Sequence, residues 1–172
     1  MDIKEKKKAR AIIINDHNEI IICNYKGVFL LPGGGVENGE TYLECLRREL
    51  NEELGLEFAD NEITPFIKLI FNQDNYPTRD NKVINRNLQT QYYIIHSNKK
   101  IEKENTHLTE EEKKGLKYYP VNIDDINLLI EAASNNPRKK FFDLELQTVI
   151  EKYKVLNQSS LKQDRSIVKI KI

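Results

Sequence analysis

Short apolar runs alternate with polar turns in the first part of the chain, and this pattern predicts β-strands. β-Branched runs at 11–14 and 19–23 flank a cluster of turn-forming residues, which is typical of a β-hairpin. A further apolar run at 28–31 ends at Pro32 and three glycines, which favour the end of a strand. The N-terminal region is therefore expected to supply a hairpin and a third strand.

The period of the apolar pattern changes between Thr41 and Leu54. Leucines there recur three or four residues apart and would line one face of an amphipathic helix. Thr41 followed by Glu44 is the signature of a capping box, and Gly55 is a typical helix terminator. The spacing predicts a helix over 41–54.

The remainder of the chain predicts both strands and helices. Apolar and β-branched runs predict strands at 63–71, 83–95 and 116–121. Helical spacing predicts helices at 124–133 and 137–156. An alternation of strands and helices of this kind indicates an α/β fold.

Two polar segments separate these elements, and the chain ends in a further alternation. Residues 72–82 and 102–114 carry few apolar side chains and are expected to be loops. Apolar and polar side chains alternate over residues 166–172, which predicts a strand at a sheet edge or an arm for a second chain. A frayed tail is the alternative. Because 172 residues with 39% hydrophobic content can bury one core, we expect one domain over 1–156 and a tail over 157–172.

The charge balance argues against a general attraction to polyanions. Lys plus Arg and Asp plus Glu each total 27, so the formal net charge is zero. Nucleic acid is therefore not an expected partner unless the contact is local. No apolar run approaches the roughly 20 residues that span a bilayer, and the charged N-terminus precedes no secretory apolar segment. We expect a cytoplasmic protein without membrane contact.

Three carboxylates lie together on one flank of the predicted helix over 41–54. Glu49, Glu52 and Glu53 stand three and four residues apart, away from the leucine face. Their like charges repel, and a divalent cation bound between them would relieve that repulsion. Anionic oxygen ligands favour Mg²⁺, with Mn²⁺ as a substitute. The glycines just upstream allow the backbone to come close enough to offer a carbonyl to that ion.

These acids belong to a longer motif. Residues 34–56 fit the pattern G-x5-E-x7-R-E-U-x-E-E-x-G-U at every fixed position, where U is a bulky aliphatic residue. This motif resembles the Nudix box, the signature of the Nudix hydrolases. The order of hairpin, strand, glycine turn, box helix, later strands and late helix is similar to that family as well.

The resemblance implies a fold, an activity and a set of site residues. The fold would be an α/β/α sandwich around a mixed β-sheet, and the activity would be cleavage of a diphosphate bond in a nucleoside diphosphate linked to another moiety. The implied Mg²⁺ ligands are three carboxylates and one carbonyl, namely those of Glu49, Glu52, Glu53 and Gly33. Glu40 and Arg48 would complete the catalytic site by ordering the loop and the helix.

The resemblance also implies a further carboxylate after the box, acting as general base or extra ligand. The candidates form an acidic run within 102–114, namely Glu110, Glu111 and Glu112. The alternative is that this run is only a solvated surface. In that case Glu49 or Glu53 would itself position the water.

The substrate stays open at the level of sequence. A nucleoside triphosphate, a nucleotide sugar and a dinucleotide all fit the resemblance as small-molecule substrates. One alternative is removal of pyrophosphate from the 5′ end of RNA, assisted by the basic runs at 6–10 and 138–140. Another is a nucleotide-sensing module that does not hydrolyse, although the presence of every box acid favours hydrolysis. A homodimer is a further open option.

Overall fold

The computed structural model describes residues 2–102, 104 and 106–172; Met1, Lys103 and Asn105 fall outside it. The described residues form one mixed sheet with helices on both faces. The strands of this sheet are β1 (Ile3–Ile14), β2 (Glu19–Tyr25), β3 (Val28–Leu30), β4 (Gly33–Gly35), β5 (Ile63–Pro77), β6 (Val83–His96), β7 (Leu116–Asn122) and β8 (Ile167–Lys171). The α-helices are α1 (Tyr42–Leu54), α2 (Glu110–Gly115), α3 (Ile126–Glu131) and α4 (Lys139–Gln158).

The sheet is organised around the central strand β1. Its main path runs β3-β2-β1-β6-β5-β8, while β4 pairs with β1 and β7 pairs with β2. The pairs β1–β6 and β5–β8 are parallel, and the other strand pairs of the described residues are antiparallel. The β1–β6 register runs from Ile3 opposite Asn85 to Ile14 opposite His96. Long-range pairing of this kind decides which side chains meet at the site.

Alternation along β1 divides the core into two layers. Ile12 and Ile14 face one layer, which α4 covers with Phe141 and Leu146. Ala9, Ala11 and Ile13 face the other layer, which α1 covers with leucines. These leucines are Leu46, Leu50 and Leu54, members of the predicted helical face. Helices on both faces of a mixed sheet give the α/β/α arrangement that the family resemblance implies.

The start of the chain differs from the prediction made from local pattern. The sequence predicts a strand only at 11–14, whereas β1 begins at Ile3. The residues between carry many charges, and their β-branched signal is weak. They become a strand because the parallel partner β6 supplies a complete ladder of hydrogen bonds along them.

Three other predicted boundaries are also wrong. The glycines Gly33–Gly35 form the short strand β4 rather than only a turn, since they pair with β1. β5 continues to Pro77 instead of ending at 71, because its pairing with β6 resumes after an irregularity at Gln73 and reaches Pro77 opposite Val83. The segment 102–114 contains the start of α2, where the Thr109 hydroxyl accepts a hydrogen bond from the backbone of Glu112 at 3.1 Å.

The C-terminal residues form an edge of the sheet. β8 lies parallel to β5, with Ile167 opposite Lys68 and Lys171 opposite Asn72. The backbone N–H of Lys68 donates to the carbonyl of Ser166 at 3.0 Å, just before the strand begins. Among the helices of the described residues, none has the length and apolar character needed to cross a bilayer.

Candidate active site

The predicted box helix is confirmed at both ends. The Thr41 hydroxyl accepts from the backbone of Glu44 at 3.1 Å, and the Glu44 carboxylate accepts from the backbone of Thr41 at 3.3 Å. Gly55 ends α1 at φ 67°, a left-handed conformation in which a side chain would be strained. The backbone N–H of Gly55 donates to the carbonyl of Asn51 at 3.0 Å. Local hydrogen bonds of residues that can be recognised in the sequence therefore fix both ends of α1.

Arg48 joins α1 to the preceding loop. Its Nε and Nη2 atoms donate to the two carboxylate oxygens of Glu40 at 2.7 and 3.0 Å. Nη2 also donates to the carbonyl of Gly35 at 2.9 Å. The bidentate contact between Arg48 and Glu40 lowers the pKa of the Glu40 carboxyl to about 2. Arg48 and Glu40 therefore hold the loop over 35–41 against the helix.

The same guanidinium reaches two of the box acids. Arg48 Nη1 donates to Glu49 Oε1 at 3.0 Å and to Glu52 Oε2 at 3.3 Å. The Glu52 side chain is 40% exposed and the Glu49 side chain 16% exposed. Glu49 is therefore held inside the site, while Glu52 lies at its edge.

Glu49 and Glu53 lie against the glycine strand β4. The backbone N–H of Gly33 donates to Glu53 Oε2 at 3.2 Å. A Cβ added at Gly34 would collide with the Glu49 carboxyl group, so only glycine allows this approach. Glu53 is buried, and its burial together with the charge of Glu49 raises the pKa of its carboxyl well above the ordinary value.

A buried carboxylate beside a half-buried one fits a hard divalent cation. Desolvation and mutual repulsion both disfavour the ionised pair, and a cation between the two would offset both effects. Oxygen donors of this kind match Mg²⁺ or Mn²⁺. Within residues 2–102, 104 and 106–172, however, no three Asp, Glu, His or Cys side chains are grouped as a complete ligand set. Glu52 instead forms its ion pair with Arg48.

The three consecutive acids of α2 have different surroundings in the structure. Glu111 and Glu112 line the same cleft as Glu49 and Glu53, whereas Glu110 pairs with Lys113 at 3.3 Å. The Glu112 carboxylate accepts from the backbone of Thr109 at 3.0 Å as part of the helix cap. Of the three predicted candidates, Glu111 is the one that faces the cleft without a capping role or an ion pair in the described residues.

Another part of the cleft lining is basic and is called the basic wall below. The cleft has a volume of about 640 Å³, and its lining includes β1, β4, β6 and the start of α4. Basic side chains line it from four separate parts of the chain, namely Lys6, Lys8, Arg10, Lys26, Arg79, Arg86 and Arg138. Arg10 is buried, donates to the carbonyl of Leu31 at 2.8 Å and lies 4.0 Å from Glu145.

Sequence reasoning does not connect these basic residues. The alternation of Lys6, Lys8 and Arg10 is visible in the chain and places the three on one face of a strand. Arg86 joins them only through the parallel β1–β6 pairing, which no local pattern shows. The regular spacing of charges at every second residue is the one signal that could have indicated a cleft wall.

Comparisons with known proteins agree with this architecture. A family model described as NUDIX domain matches residues 4–142. The nucleoside triphosphatase NudI of Escherichia coli (strain SE11) is 52% identical over 42 residues, which is 24% of this chain. NudI of Shigella flexneri matches to the same extent. In both cases the match spans only 30% of the relative's length.

Solved structures share the fold at low sequence identity. A MutT structure from work on Aliivibrio salmonicida and Vibrio cholerae has a TM-score of 0.54 and 21% identity, covering 86% of this chain and 98% of the other. A Caenorhabditis elegans Ap4A hydrolase binary complex has a TM-score of 0.55 and 13% identity, covering 88% and 97%. The predicted α/β/α fold around a mixed sheet is confirmed.

Proposed function

The chain belongs to the NUDIX domain family, and we propose that it hydrolyses a diphosphate bond in a nucleotide linked to a further group, with Mg²⁺ or Mn²⁺ held by Glu49 and Glu53. The observation that carries the proposal is the approach of these two carboxylates to the glycine strand in the wall of a cleft. A cleft of about 640 Å³ is in the range of small-molecule sites. The similarity to nucleoside triphosphatases supports a nucleotide as the substrate.

The contacts of the site residues indicate a separate role for each. Glu53 and Glu49 supply anionic oxygens in a buried setting, and the Gly33 carbonyl is proposed as a further ligand. Arg48 fixes Glu49 from one side and holds Glu52 at the edge, where it would complete the ligand set. Glu40 keeps Arg48 in place through two hydrogen bonds. The chemistry that the cation supplies when bound is charge neutralisation on the diphosphate and a lower pKa of water.

Hydrolysis also requires a group that takes the proton of the attacking water. In this step an oxygen–phosphorus bond forms to the water, the bridging phosphorus–oxygen bond breaks, and the electron pair leaves with the departing phosphate. Glu111 is proposed as the base, because it is exposed to the cleft and no capping bond or ion pair of the described residues occupies it. If it does not serve, Glu49 or Glu53 would itself position the water.

The test is a hydrolysis assay across substrate classes. Phosphate release, coupled to a pyrophosphatase and a phosphatase, would be measured on nucleoside triphosphates, nucleotide sugars, dinucleoside polyphosphates and 5′-triphosphate RNA, with Mg²⁺, with Mn²⁺ and with EDTA. We expect cation-dependent turnover of at least one nucleotide class. Turnover that persists unchanged in EDTA would contradict the assignment of the cation, and binding without turnover would favour the sensing module.

A further inference from the structure

Several basic side chains of the cleft have no ion-pair partner among the described residues, and Lys8 and Arg86 are the two on β1 and β6 that are half-buried or buried. Arg10 is balanced by Glu145, and Arg48 by the carboxylates around it. Lys8 and Arg86 also line the cleft, but among residues 2–102, 104 and 106–172 neither forms an ion pair with a carboxylate. Buried or half-buried cations are normally paired, so this arrangement is costly unless a ligand supplies the anion.

Arg86 is held rigidly in place by polar and aromatic contacts. Its Nε donates to the side-chain carbonyl of Gln73, and both side chains are buried. Its guanidinium carbon lies 3.5 Å from the centre of the Tyr76 ring. Tyr76 packs edge-on against Phe141 at 5.1 Å between ring centres. The planar group is thereby oriented before any ligand arrives, which reduces the entropy lost on binding.

Lys8 lies beside the glycine strand of the site. It stands opposite Gly35 in the β1–β4 pair, two residues along β1 from Arg10, which stands opposite Gly33. Burial and the neighbouring charges of Arg10 and Arg86 lower the pKa of the Lys8 amine to about 7. Both causes disfavour the charged ammonium form, which an anion bound nearby would stabilise.

We propose that Lys8 and Arg86 form an oxyanion subsite that selects nucleotides whose linked group is itself phosphorylated, above all nucleoside triphosphates, over nucleotide sugars with a neutral hexose. The inference rests on the proposed function, in which Glu49 and Glu53 serve the diphosphate that is cleaved. Because the cleft already has that centre, the two cations without an ion-pair partner call for a further anionic group. A neutral hexose would leave both cations unpaired and desolvated.

The first measurement compares matched substrates that share a nucleoside. The kcat/KM values for UTP and UDP-glucose, and for GTP and GDP-mannose, would be determined for the unaltered protein and for Lys8→Met, Arg86→Gln and Arg86→Lys. Lys7→Met is the control, since Lys7 is the neighbouring exposed lysine of β1 and does not line the cleft. We expect preference for the triphosphate and a loss of about tenfold or more in kcat/KM for it in Lys8→Met and Arg86→Gln. Values for the sugar nucleotides are expected to change little.

A second measurement separates the subsite from hydrolysis. Binding of inorganic tripolyphosphate would be followed by calorimetry in EDTA, so that it depends on the basic wall alone. We expect binding about tenfold weaker in Lys8→Met, intermediate weakening in Arg86→Lys, which keeps the charge but loses the planar fork, and no change in Lys7→Met. Circular dichroism would establish that each variant is folded.

The outcomes distinguish the two proposals. If no nucleotide is hydrolysed but tripolyphosphate binding depends on Lys8 and Arg86, the proposed function fails and the anion subsite stands. If nucleotides are hydrolysed while folded Lys8→Met and Arg86→Lys bind tripolyphosphate like the unaltered protein, the subsite is wrong. Equal turnover of the triphosphate and the sugar nucleotide would also overturn the selectivity.

Discussion

The two walls of the cleft are built in different ways. The acidic wall comes from one helix and the glycine strand shortly before it, within residues 33–53. The basic wall comes from β1, β6 and the start of α4, which are brought together by strand pairing and helix packing. A short segment with fixed spacing can be recognised from the sequence, whereas a wall assembled from distant strands cannot.

The walls also differ in how their charges are balanced. On the acidic wall Arg48 forms ion pairs with Glu40 and Glu49. Glu53 is buried beside Glu49, and the nearby positive charge is too small to keep the pKa of its carboxyl from rising. On the basic wall Lys8 and Arg86 have no carboxylate partner in the described part of the chain. Each wall thus lacks the charge that one component of a cation–nucleotide complex would supply.

The largest effect is expected from Glu53→Gln on the acidic wall. Loss of this carboxylate would remove one proposed ligand, and kcat is expected to fall by about a hundredfold or more. Because the buried charge beside Glu49 would also be removed, the free energy of unfolding without metal is expected to rise or stay level. Kinetics and denaturant unfolding measure the two effects. Glu57→Gln, an exposed acid after α1, is the control and should change neither.

A smaller loss is expected from Gly34→Ala. The added methyl group would push the Glu49 carboxyl group away from β4, and kcat is expected to fall by about tenfold or more. Gly35→Ala is a matched control, because no described atom lies within 4 Å of a Cβ added there. Equal activity in the two variants would contradict the close approach of Glu49 as a requirement.

The assignment of the base is sharpened by Glu111→Gln. We expect about a tenfold loss of kcat, below the roughly hundredfold typical of a general base, because Glu112 lies beside it in the cleft. The acidic limb of the pH–rate profile should change as well. Glu110→Gln serves for comparison, since Glu110 pairs with Lys113 outside the cleft. A loss equal in both variants would assign the effect to general surface charge.

The smallest effect is expected from Arg48→Lys. Lysine cannot reproduce the bidentate contact with Glu40, and we expect a loss of about 1 kcal/mol in the free energy of unfolding near neutral pH. Because the pKa of Glu40 is lowered to about 2 from its ordinary 4.5, this contribution is present above pH 4.5 and disappears as the pH falls toward 2. The stability curves of the two proteins should therefore converge in acid. Arg47→Lys, at an adjacent and more exposed ion pair with Asp60, should show a smaller difference.

Local signals in the sequence were sufficient for the box helix. Thr41, Glu44 and Gly55 set its ends, and the leucine spacing set its buried face. The length of β1 could not be predicted in this way, because its first residues depend on pairing with β6 rather than on their own propensity. For the same reason the sequence could not show that Arg86 lies in one cleft with Lys8 and Arg10. The spacing also suggests that three glutamates converge, but it cannot show that Arg48 holds Glu52 at the edge.

The most direct test of the proposed cation site is the binding of Mn²⁺ without nucleotide. Electron paramagnetic resonance would be used to titrate Mn²⁺ into the unaltered protein, Glu53→Gln and Glu57→Gln. If Glu49 and Glu53 form the cation site, the unaltered protein and Glu57→Gln should bind alike, and Glu53→Gln should bind about tenfold more weakly or not at all. Equal affinity in all three proteins would show that Glu53 is not a ligand of the cation.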